Sequence, residues 1–368
     1  MPSITKIVIT GGPCGGKSTA LSRIERHFSN LGYHVLFVGE AATEMITSRV
    51  VPWLGKNTDF QYALLKMQRS KEHIYHEWAS RLDSDKVLMV CDRGALDNKA
   101  YMSENEFHAI MESMNTNEIE LRDNYDAVFH LVTAANGAAK FYTTENNNAR
   151  TETVEEAIEL DNKIIAAWTG HPHLRVIDNS TSFEAKIGRL LGEITGFLGV
   201  PEPMEIERKF LIKYPDLDML DNLPNCTNVD IIQTYLISNQ ADAITRIRQR
   251  GRDGHYVFTE TTKRHISDTI RVETEKRISQ AEYLVLLMNA DTELKQIRKI
   301  RYCLSHNSQY FEIDIYPFWD KQAILEVELS DENQAIDFPA FIDIIREVTS
   351  DTRYANHSLA QDIPKESE

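Results

Sequence analysis

Hydrophobic positions in the first half of the chain follow an alternating pattern of short apolar runs and longer amphipathic segments. The runs have the length of buried strands, and the longer segments repeat apolar residues every three or four positions, as helices do. The predicted strands are KIVIT at 6–10, HVLFV at 34–38, KVLMVC at 86–91, DAVFHLV at 126–132 and LRVID at 174–178, and the predicted helices include 17–31, 59–82 and 154–168. This alternation predicts a doubly wound parallel sheet covered by helices, that is, an α/β domain.

The second half of the chain changes to a period of two, which is typical of strands. The predicted strands are 204–212, 230–238, 243–250, 255–262, 270–277, 296–303, 309–316 and 323–330, and helices are predicted at 280–289 and 340–348. The two prolines of GVPEPM at 199–204 favour an extended connection between the halves. We therefore predict domains at 1–199 and 204–362, the second mainly antiparallel β, and a flexible tail at 363–368.

Composition narrows the class of protein. The 368 residues are 42% hydrophobic and 26% charged, as in ordinary globular proteins, and the net charge of −16 disfavours nonspecific binding to nucleic acid or anionic membranes. The sequence shows neither a secretory signal nor an apolar stretch of transmembrane length, so we expect a cytoplasmic protein without a transmembrane segment. Four scattered cysteines predict neither a disulfide framework nor a CxxC metal site.

The segment GGPCGGKS at residues 11–18 lies between a predicted strand and a predicted helix and satisfies GxxxxGK[ST]. Glycines allow backbone N–H groups to point at phosphates, the lysine reaches the β- and γ-phosphates, and the serine is a ligand for Mg²⁺. We predict a nucleoside triphosphate site for ATP or GTP with Mg²⁺. Its residues are Gly11, Gly12, Pro13, Cys14, Gly15, Gly16, Lys17, Ser18 and Thr19.

Two carboxylates follow strands that should end beside this loop, where ligands of open α/β sheets bind. Asp92 comes directly after KVLMVC and is predicted to hold Mg²⁺ with Ser18, although a helix cap is the alternative. Glu40 follows the second strand and is our candidate general base, with a cap or a solvent-facing residue as the alternative. Arg93 and Asp97 are secondary candidates for substrate contact.

GGPCGGKST, Glu40 and the segment CDRG resemble the P-loop small-molecule kinases across most of residues 5–198. The resemblance implies a lid that brings an arginine to the transferring phosphate, and the polar segment TTENNNART at 143–151 occupies that place. Arg150 is its candidate, because a guanidinium would neutralise charge developing on the γ-phosphoryl group. The resemblance therefore implies transfer of phosphate to a small-molecule acceptor, with Lys17, Glu40, Asp92 and Arg150 as catalytic residues.

Several strands of the second domain carry charges at alternate positions and apolar residues between them. Such a charged face usually turns to water, which is one interpretation. The other is a barrel with the charges inside, where acidic groups bind Mg²⁺ or Mn²⁺ and basic groups hold phosphate oxygens. The repetition of the pattern favours the barrel.

The ExExK pattern of Glu205, Glu207 and Lys209 resembles the CYTH, or triphosphate tunnel metalloenzyme, family, and the later charged pairs extend the resemblance across 204–360. The resemblance implies phosphate binding by Lys209, Arg246, Arg248, Lys263, Lys299 and Arg301. It implies metal binding by Glu205, Glu207, Asp314, Glu326 and Glu328. The implied reaction is hydrolysis of a triphosphate by a metal-activated water.

A P-loop kinase-like (AAA family ATPase) domain followed by a CYTH-like domain resembles the TRPL translocation defect protein family, which is associated with GTP and phosphoinositide binding. We therefore predict a two-domain enzyme with kinase-like phosphotransferase and triphosphatase activities. The alternative is a protein in which ATP or GTP regulates binding of a phosphoinositide or polyphosphate, without catalysis in the second domain.

Overall fold

The computed structural model describes residues 2–138, 153–199, 206–237, 243–265, 271–329 and 334–365. The chain divides into two compact units, residues 1–192 (unit 1) and 193–368 (unit 2). No helix in these ranges is both long and apolar enough to cross a membrane.

Unit 1 is built on a parallel sheet of five strands in the order β2-β3-β1-β4-β5, which confirms the predicted parallel α/β architecture. The strands are β1 (Ser3–Thr10), β2 (His34–Val38), β3 (Lys86–Asp92), β4 (Ala127–Leu131) and β5 (Leu174–Ile177). The helices are α1 (Lys17–Asn30), α2 (Ala41–Thr47), α3 (Asn57–Ala79), α4 (Glu104–Ser113), α5 (Glu118–Arg122), α6 (Val154–Trp168) and α7 (Phe183–Phe197), the last running past residue 192. Short 3-10 turns lie at Pro52–Leu54 and Ala95–Tyr101.

The sheet forms because its central strands are apolar on both faces. Ile7, Val8 and Ile9 of β1 are fully buried, as expected for parallel strands with helices on both sides. The register pairs Ile9 with Asp92, so the carboxyl ends of β1 and β3 lie side by side. This pairing brings the loop after β1 next to the first residues after β3.

A buried histidine makes the stability of unit 1 sensitive to pH. His171 is fully buried; its Nδ1 accepts a hydrogen bond from the His173 N–H (3.0 Å), and its Nε2 lies 3.0 Å from the Tyr125 carbonyl oxygen. A neutral ring satisfies both contacts, and burial lowers the pKa of His171 to about 3. An unfolded histidine titrates near pH ~6.5, so between that pH and about 3 only the unfolded chain takes the proton.

We therefore expect the free energy of unfolding of unit 1 to fall as the pH falls below ~6.5, with His171 contributing at most about 1.4 kcal/mol per pH unit. In urea denaturation, wild type should be more stable than His171→Gln at pH 7.5, and the difference should shrink toward pH 4.5. A difference between the two proteins that is independent of pH would contradict this expectation.

Unit 2 contains a large antiparallel sheet in the order β10-β9-β8-β7-β11-β12-β13-β6-β14, which confirms the predicted antiparallel class. Its strands are β6 (Ile206–Lys213), β7 (Cys226–Leu236), β8 (Ala243–Arg252), β9 (His255–His265), β10 (Arg271–Ile278), β11 (Ile297–His306), β12 (Gln309–Ile315), β13 (Gln322–Leu329) and β14 (Ile344–Glu347). Its helices are α8 (Leu217–Asp221), α9 (Gln280–Leu287) and α10 (Asn356–Gln361), with a 3-10 turn at Thr352–Tyr354.

The predicted helix at 340–348 is wrong, because residues Ile344–Glu347 form strand β14. Phe341, Ile344, Ile345 and Val348 have helical spacing, but β-branched isoleucines also favour strands, and pairing with β6 decides between the two. The edge of the sheet is reinforced by the ion pairs Arg208–Glu347 and Lys213–Asp343. Strand pairing with β6 therefore outweighs the helical spacing of the apolar residues in this segment.

The strand register places the alternating charges of unit 2 on one face. Directly opposed pairs include Arg301 with Asp314, Glu326 with Lys209, and Glu328 with Glu207. The other face carries a core that includes Phe210, Phe311, Ile313 and Leu325. The ladder of described strands ends at β10 and β14, so closure of the sheet into a barrel stays a prediction.

Candidate phosphate-binding sites

The loop between β1 and α1 has the backbone conformation that its glycines predict. Gly11 has φ 135° and Gly16 has φ 96°, values that side chains disfavour. A Cβ atom at Gly11 would lie 2.0 Å from the Leu131 carbonyl oxygen, so the loop packs too closely on β4 for any other residue. Ser18 and Thr19 are exposed in the first turn of α1, where backbone N–H groups have no partner within the helix.

Lys17 lies across this loop. Its Nζ donates hydrogen bonds to the carbonyl oxygens of Gly11 (2.8 Å) and Gly12 (3.0 Å). Burial, followed by the charge of Arg93, lowers the pKa of Lys17 to about 8, while Asp92 and Glu40 act in the opposite direction. A bound anion would favour the charged ammonium further, because an opposite charge raises the pKa of a lysine.

Asp92 has an unsatisfied oxygen at the end of β3. Its Oδ1 is buried and has no hydrogen-bond partner among the described residues. Burial and then the nearby Glu40 carboxylate raise the pKa of Asp92. A buried carboxylate oxygen without a donor fits the predicted ligand for Mg²⁺, a hard cation that prefers oxygen.

Glu40 lies in a charged network with Arg93. The Arg93 Nε donates to Glu40 Oε1 (3.1 Å), and the Thr43 hydroxyl donates to Glu40 Oε2 (2.6 Å). Burial alone would raise the pKa of Glu40, but Arg93 and Thr43 outweigh it and lower the pKa. Glu40 is therefore ionised and held in place in this state.

Arg93 itself is held in an uncommon backbone conformation, with φ 73°. Gln68 Nε2 donates to its carbonyl oxygen (3.1 Å), and its guanidinium also lies 3.5 Å from Asp97 Oδ1. Asp97 accepts hydrogen bonds from the Gly94 N–H (2.6 Å) and the Thr10 hydroxyl. The structure thus places Asp97 inside the network that supports Arg93. Arg150, the candidate arginine of the lid, lies outside the described residues.

Sequence reasoning missed Asp161 of α6. Its carboxylate is buried and accepts hydrogen bonds from the N–H groups of Gly12 (2.6 Å) and Thr133 (3.3 Å), and it pairs with His130 Nε2 (2.9 Å). The available signal was an acidic residue on the apolar stripe that also contains Ala157, Ile164 and Trp168.

The charged face of unit 2 is centred on Arg301. Its Nε and one terminal nitrogen donate to the two oxygens of Asp314, each at 2.7 Å. The terminal nitrogens also donate to Glu326 Oε2 (2.6 Å) and to Glu312. Lys299 pairs with Asp314 as well, so both oxygens of that carboxylate are engaged by cations.

Lys209 extends this cluster to β6. Its Nζ lies 2.8 Å from Glu326 Oε1 and 3.5 Å from Glu207 Oε1. Burial alone would raise the pKa of Glu326, but Lys209 and Arg301 outweigh it and hold the pKa well below its usual range. Glu326 is therefore ionised and lies between two cations.

Glu207 and Glu328 are in a different electrostatic position, because they face each other across β6 and β13. The Glu207 side chain is 39% exposed, and partial desolvation, followed by the charge of Glu326, raises its pKa, with Glu328 acting in the same direction. Directly opposed like charges destabilise a sheet. A divalent cation would relieve this repulsion, so these carboxylates and Glu326 fit the predicted metal site.

Among the described residues, no group of three or more His, Cys, Asp or Glu side chains is arranged as a ready metal cage. In this state both oxygens of Asp314 and both oxygens of Glu326 are bound to Lys or Arg, so a metal ion at Glu326 would have to replace one of these contacts. Glu205, which the ExExK pattern adds to this set, lies outside the described residues.

The centre of the charged face is buried rather than turned to water, whereas Glu207 on the same face is exposed. The exposed fractions are 4% for Lys299, 9% for Arg301, 0% for Asp314 and 7% for Glu326. Ionised groups are almost never this buried unless they are paired. The solvated-face interpretation is therefore wrong for these four residues.

The same face continues onto β8 and β9 with predicted phosphate ligands. Arg248 lies opposite Gln233 and Arg246 lies opposite Tyr235, and Lys263 follows on β9 opposite Ile244. Arg248 donates to Gln233 Oε1 at 3.5 Å. The register thus aligns Arg246, Arg248 and Lys263 on the face that also carries Lys299 and Arg301.

Comparison with known proteins finds similarity to a family model and to a triphosphatase. A family model described as AAA domain matches residues 6–186. The inorganic triphosphatase of Nitrosomonas europaea is 31% identical to this chain over 163 residues, which are 44% of this chain and 99% of that protein. The chain belongs to the inorganic triphosphatase family.

Two solved structures are also similar to the chain. One is an inorganic triphosphatase, 29% identical, matching 44% of this chain and 97% of its own with a TM-score of 0.32. The other, from Hippeastrum, is titled a putative adenylyl cyclase with a dominant triphosphatase activity; it is 14% identical and matches 34% of this chain and 80% of its own, with a TM-score of 0.25. Kinship with the TRPL translocation defect proteins stays a prediction.

Proposed function

We propose that the domain at residues 204–362 hydrolyses a triphosphate with the help of Mg²⁺ or Mn²⁺. The observation that carries the proposal is the buried cluster in which Lys209 and Arg301 both bind Glu326, and Lys299 and Arg301 both bind Asp314. Membership of the inorganic triphosphatase family supports the assignment. Inorganic triphosphate is accordingly the first substrate to test.

The basic residues of this cluster have the charge and geometry to bind a chain of phosphates. Arg301 presents a planar guanidinium, which matches phosphate oxygens in two-point contact, while Lys209 and Lys299 act as point charges. In this state those cations are paired with carboxylates, which keeps them charged or close to charged inside the protein. Arriving phosphate oxygens would exchange for part of these carboxylate contacts.

The acidic residues have two different tasks in this proposal. Glu207, Glu326 and Glu328 would hold the metal ion, and Asp314 would orient Arg301 and Lys299 toward the phosphates. When bound, Mg²⁺ or Mn²⁺ supplies Lewis-acid polarisation of a phosphoryl oxygen and a water nucleophile of lowered pKa.

The test is phosphate release from tripolyphosphate, ATP and GTP by the full chain, with Mg²⁺ or Mn²⁺ and with EDTA as control. Metal-dependent turnover of tripolyphosphate is the expected result. Tight binding of tripolyphosphate or a phosphoinositide head group without turnover would reject hydrolysis and favour the alternative of a phosphoinositide- or polyphosphate-binding protein.

For the domain at residues 1–199 we propose transfer of the γ-phosphoryl group of ATP or GTP to a small acceptor. The supporting observation is the unsatisfied Asp92 Oδ1 beside a loop whose carbonyl oxygens bind the half-buried Lys17. Ser18 and Asp92 would hold Mg²⁺, and Lys17 would bind the β- and γ-phosphates. We retain Arg150 as the proposed transition-state arginine.

Glu40 would accept the proton of the acceptor hydroxyl in this reaction. Its present contacts with Arg93 and Thr43 lower its pKa and so weaken it as a base. Binding of the acceptor would therefore have to loosen at least one of these contacts before Glu40 could act.

Lys17→Ala should weaken binding of MgATP or MgGTP by about 100-fold, because it removes the ammonium that reaches the phosphates. Titration calorimetry measures the affinity, and hydrolysis of tripolyphosphate by the same variant should be unchanged. Lys163→Ala, an exposed lysine of α6 paired with Glu159, is the control. Equal nucleotide affinity of wild type and Lys17→Ala would reject the loop as the nucleotide site.

A further inference from the structure

Asp161 connects three separate parts of unit 1. The residue lies on α6, its Gly12 partner lies in the phosphate loop, and its His130 and Thr133 partners lie on and just after β4. Gly12 and Asp161 are 149 residues apart in the chain. The Asp161 carboxylate therefore links α6, the phosphate loop and the end of β4, and these contacts form only when the domain folds.

The contact with the loop is close as well as polar. A Cβ atom at Gly12 would lie 2.7 Å from Asp161 Oδ1 and 3.0 Å from Asp161 Cβ. Glycine is thus required at position 12 for the loop to reach the carboxylate. The next residue is fixed too, because the Thr133 hydroxyl donates to the Pro13 carbonyl oxygen.

The donors around Asp161 favour its ionised form. Two backbone N–H groups and an imidazole nitrogen point at its two oxygens, which compensates the cost of burying a carboxylate. Asparagine has one acceptor oxygen where aspartate has two, so it would leave the Gly12 or the Thr133 N–H without a partner.

We propose that Asp161 is a positioning residue for the phosphate loop, holding Gly12 so that the following N–H groups are arranged for phosphate before the nucleotide binds. A cradle that is already formed loses less free energy to reorganisation when the ligand arrives. The role rests on the proposed nucleotide site. It assigns no chemical step to Asp161 itself.

A double-mutant cycle between positions 12 and 161 tests this role, since Gly12→Ala pushes the loop away from the same carboxylate that Asp161→Ala removes. Affinity is measured by titrating the full chain with MgATP and MgGTP, counting only the binding that Lys17→Ala abolishes. We expect each single variant to weaken nucleotide binding by about 10-fold or more. The affinity of the double variant should stay within about threefold of that of the single variant that binds more weakly. Independent effects would multiply to about 100-fold.

Melting temperatures of the same variants separate positioning from general destabilisation. Glu159→Ala, an exposed change on the same helix, should leave the affinity unchanged. If Asp161→Ala does not fold, Asp161→Asn replaces it in the cycle, with an expected loss of about threefold or more because one N–H is left unpaired.

A folded position-161 variant that binds nucleotide like wild type, or effects that multiply in the double variant, would overturn the role of Asp161 alone. Absence of Lys17-dependent binding in wild type would instead reject the nucleotide site, and the role of Asp161 with it.

Discussion

Glu207→Gln should reduce metal-dependent hydrolysis of tripolyphosphate by about 100-fold or more, because it removes an anionic oxygen ligand from the proposed metal site. The structural reason is the direct pairing of Glu207 with Glu328 across β6 and β13, with Glu326 on the same face. Glutamine preserves the size of the side chain and cannot supply the negative charge that a divalent cation requires.

The stability of unit 2 should respond in the opposite direction. Opposed like charges destabilise a sheet, so removal of one of them should leave the free energy of unfolding unchanged or raise it by up to about 1 kcal/mol. Loss of activity together with unchanged or increased stability is a signature that a simple folding defect does not produce. Calorimetric melting and phosphate release on one protein preparation measure both quantities.

Glu347→Gln is the matched control, since Glu347 lies on β14 of the same sheet and is exposed in an ion pair with Arg208. It should hydrolyse tripolyphosphate at the wild-type rate. Activity of Glu207→Gln within about threefold of wild type, at saturating metal, would rule out Glu207 as a metal ligand.

Local sequence signals predicted the parts of the first site that depend on backbone geometry. The spacing of Gly11, Gly16 and Lys17 reports what the loop requires, namely positive φ angles and close packing on Leu131. Asp92 was predicted because its strand ends at the edge where the loop lies, and the pairing of Ile9 with Asp92 produces that neighbourhood. Such features depend on a few adjacent residues.

The alternation of charge predicted which face of each strand in unit 2 would be charged, because side chains alternate along a strand. The alternation did not predict which charged residues form ion pairs with one another. Arg301 binds Asp314 and Glu326 because β11, β12 and β13 are neighbours in the sheet, and the order of strands is a property of the whole domain. The pairing of Glu40 with Arg93 was also beyond local reasoning.

The features that the sequence did not predict correctly depend on contacts between residues that are distant in the chain. Asp161 looks like one acidic residue on an apolar helix face, and its meaning appears only when α6 packs beside Gly12. Residues 344–347 have helical spacing in isolation, and pairing with β6 makes them a strand. In both places contacts between distant parts of the chain decide the structure, and the local sequence pattern does not predict them.

Arg301→Ala should destabilise unit 2 by about 3–5 kcal/mol, because it removes the cation that binds the buried carboxylates of Asp314 and Glu326 and the partly buried carboxylate of Glu312. Asp314 would then keep its ion pair with Lys299, and Glu326 would keep its ion pair with Lys209. An unpaired buried carboxylate takes up a proton at a higher pH than an exposed one. The deficit relative to wild type should therefore be greatest near pH 7.5 and should shrink as the pH falls toward 5.

Arg208→Ala is the control for this prediction, because Arg208 makes a two-point ion pair with Glu347 on the same sheet in an exposed position. Its loss should cost about 0–1 kcal/mol, since water solvates both charges once the pair is broken. Arg301→Lys should fall between the two, because one ammonium cannot reproduce the planar contacts of the guanidinium. Denaturation at pH 7.5 and pH 5.5 measures all three variants. Equal losses for Arg301→Ala and Arg208→Ala would show that the buried cluster contributes no more to the fold than a surface ion pair, and its cations would then be held for the ligand alone.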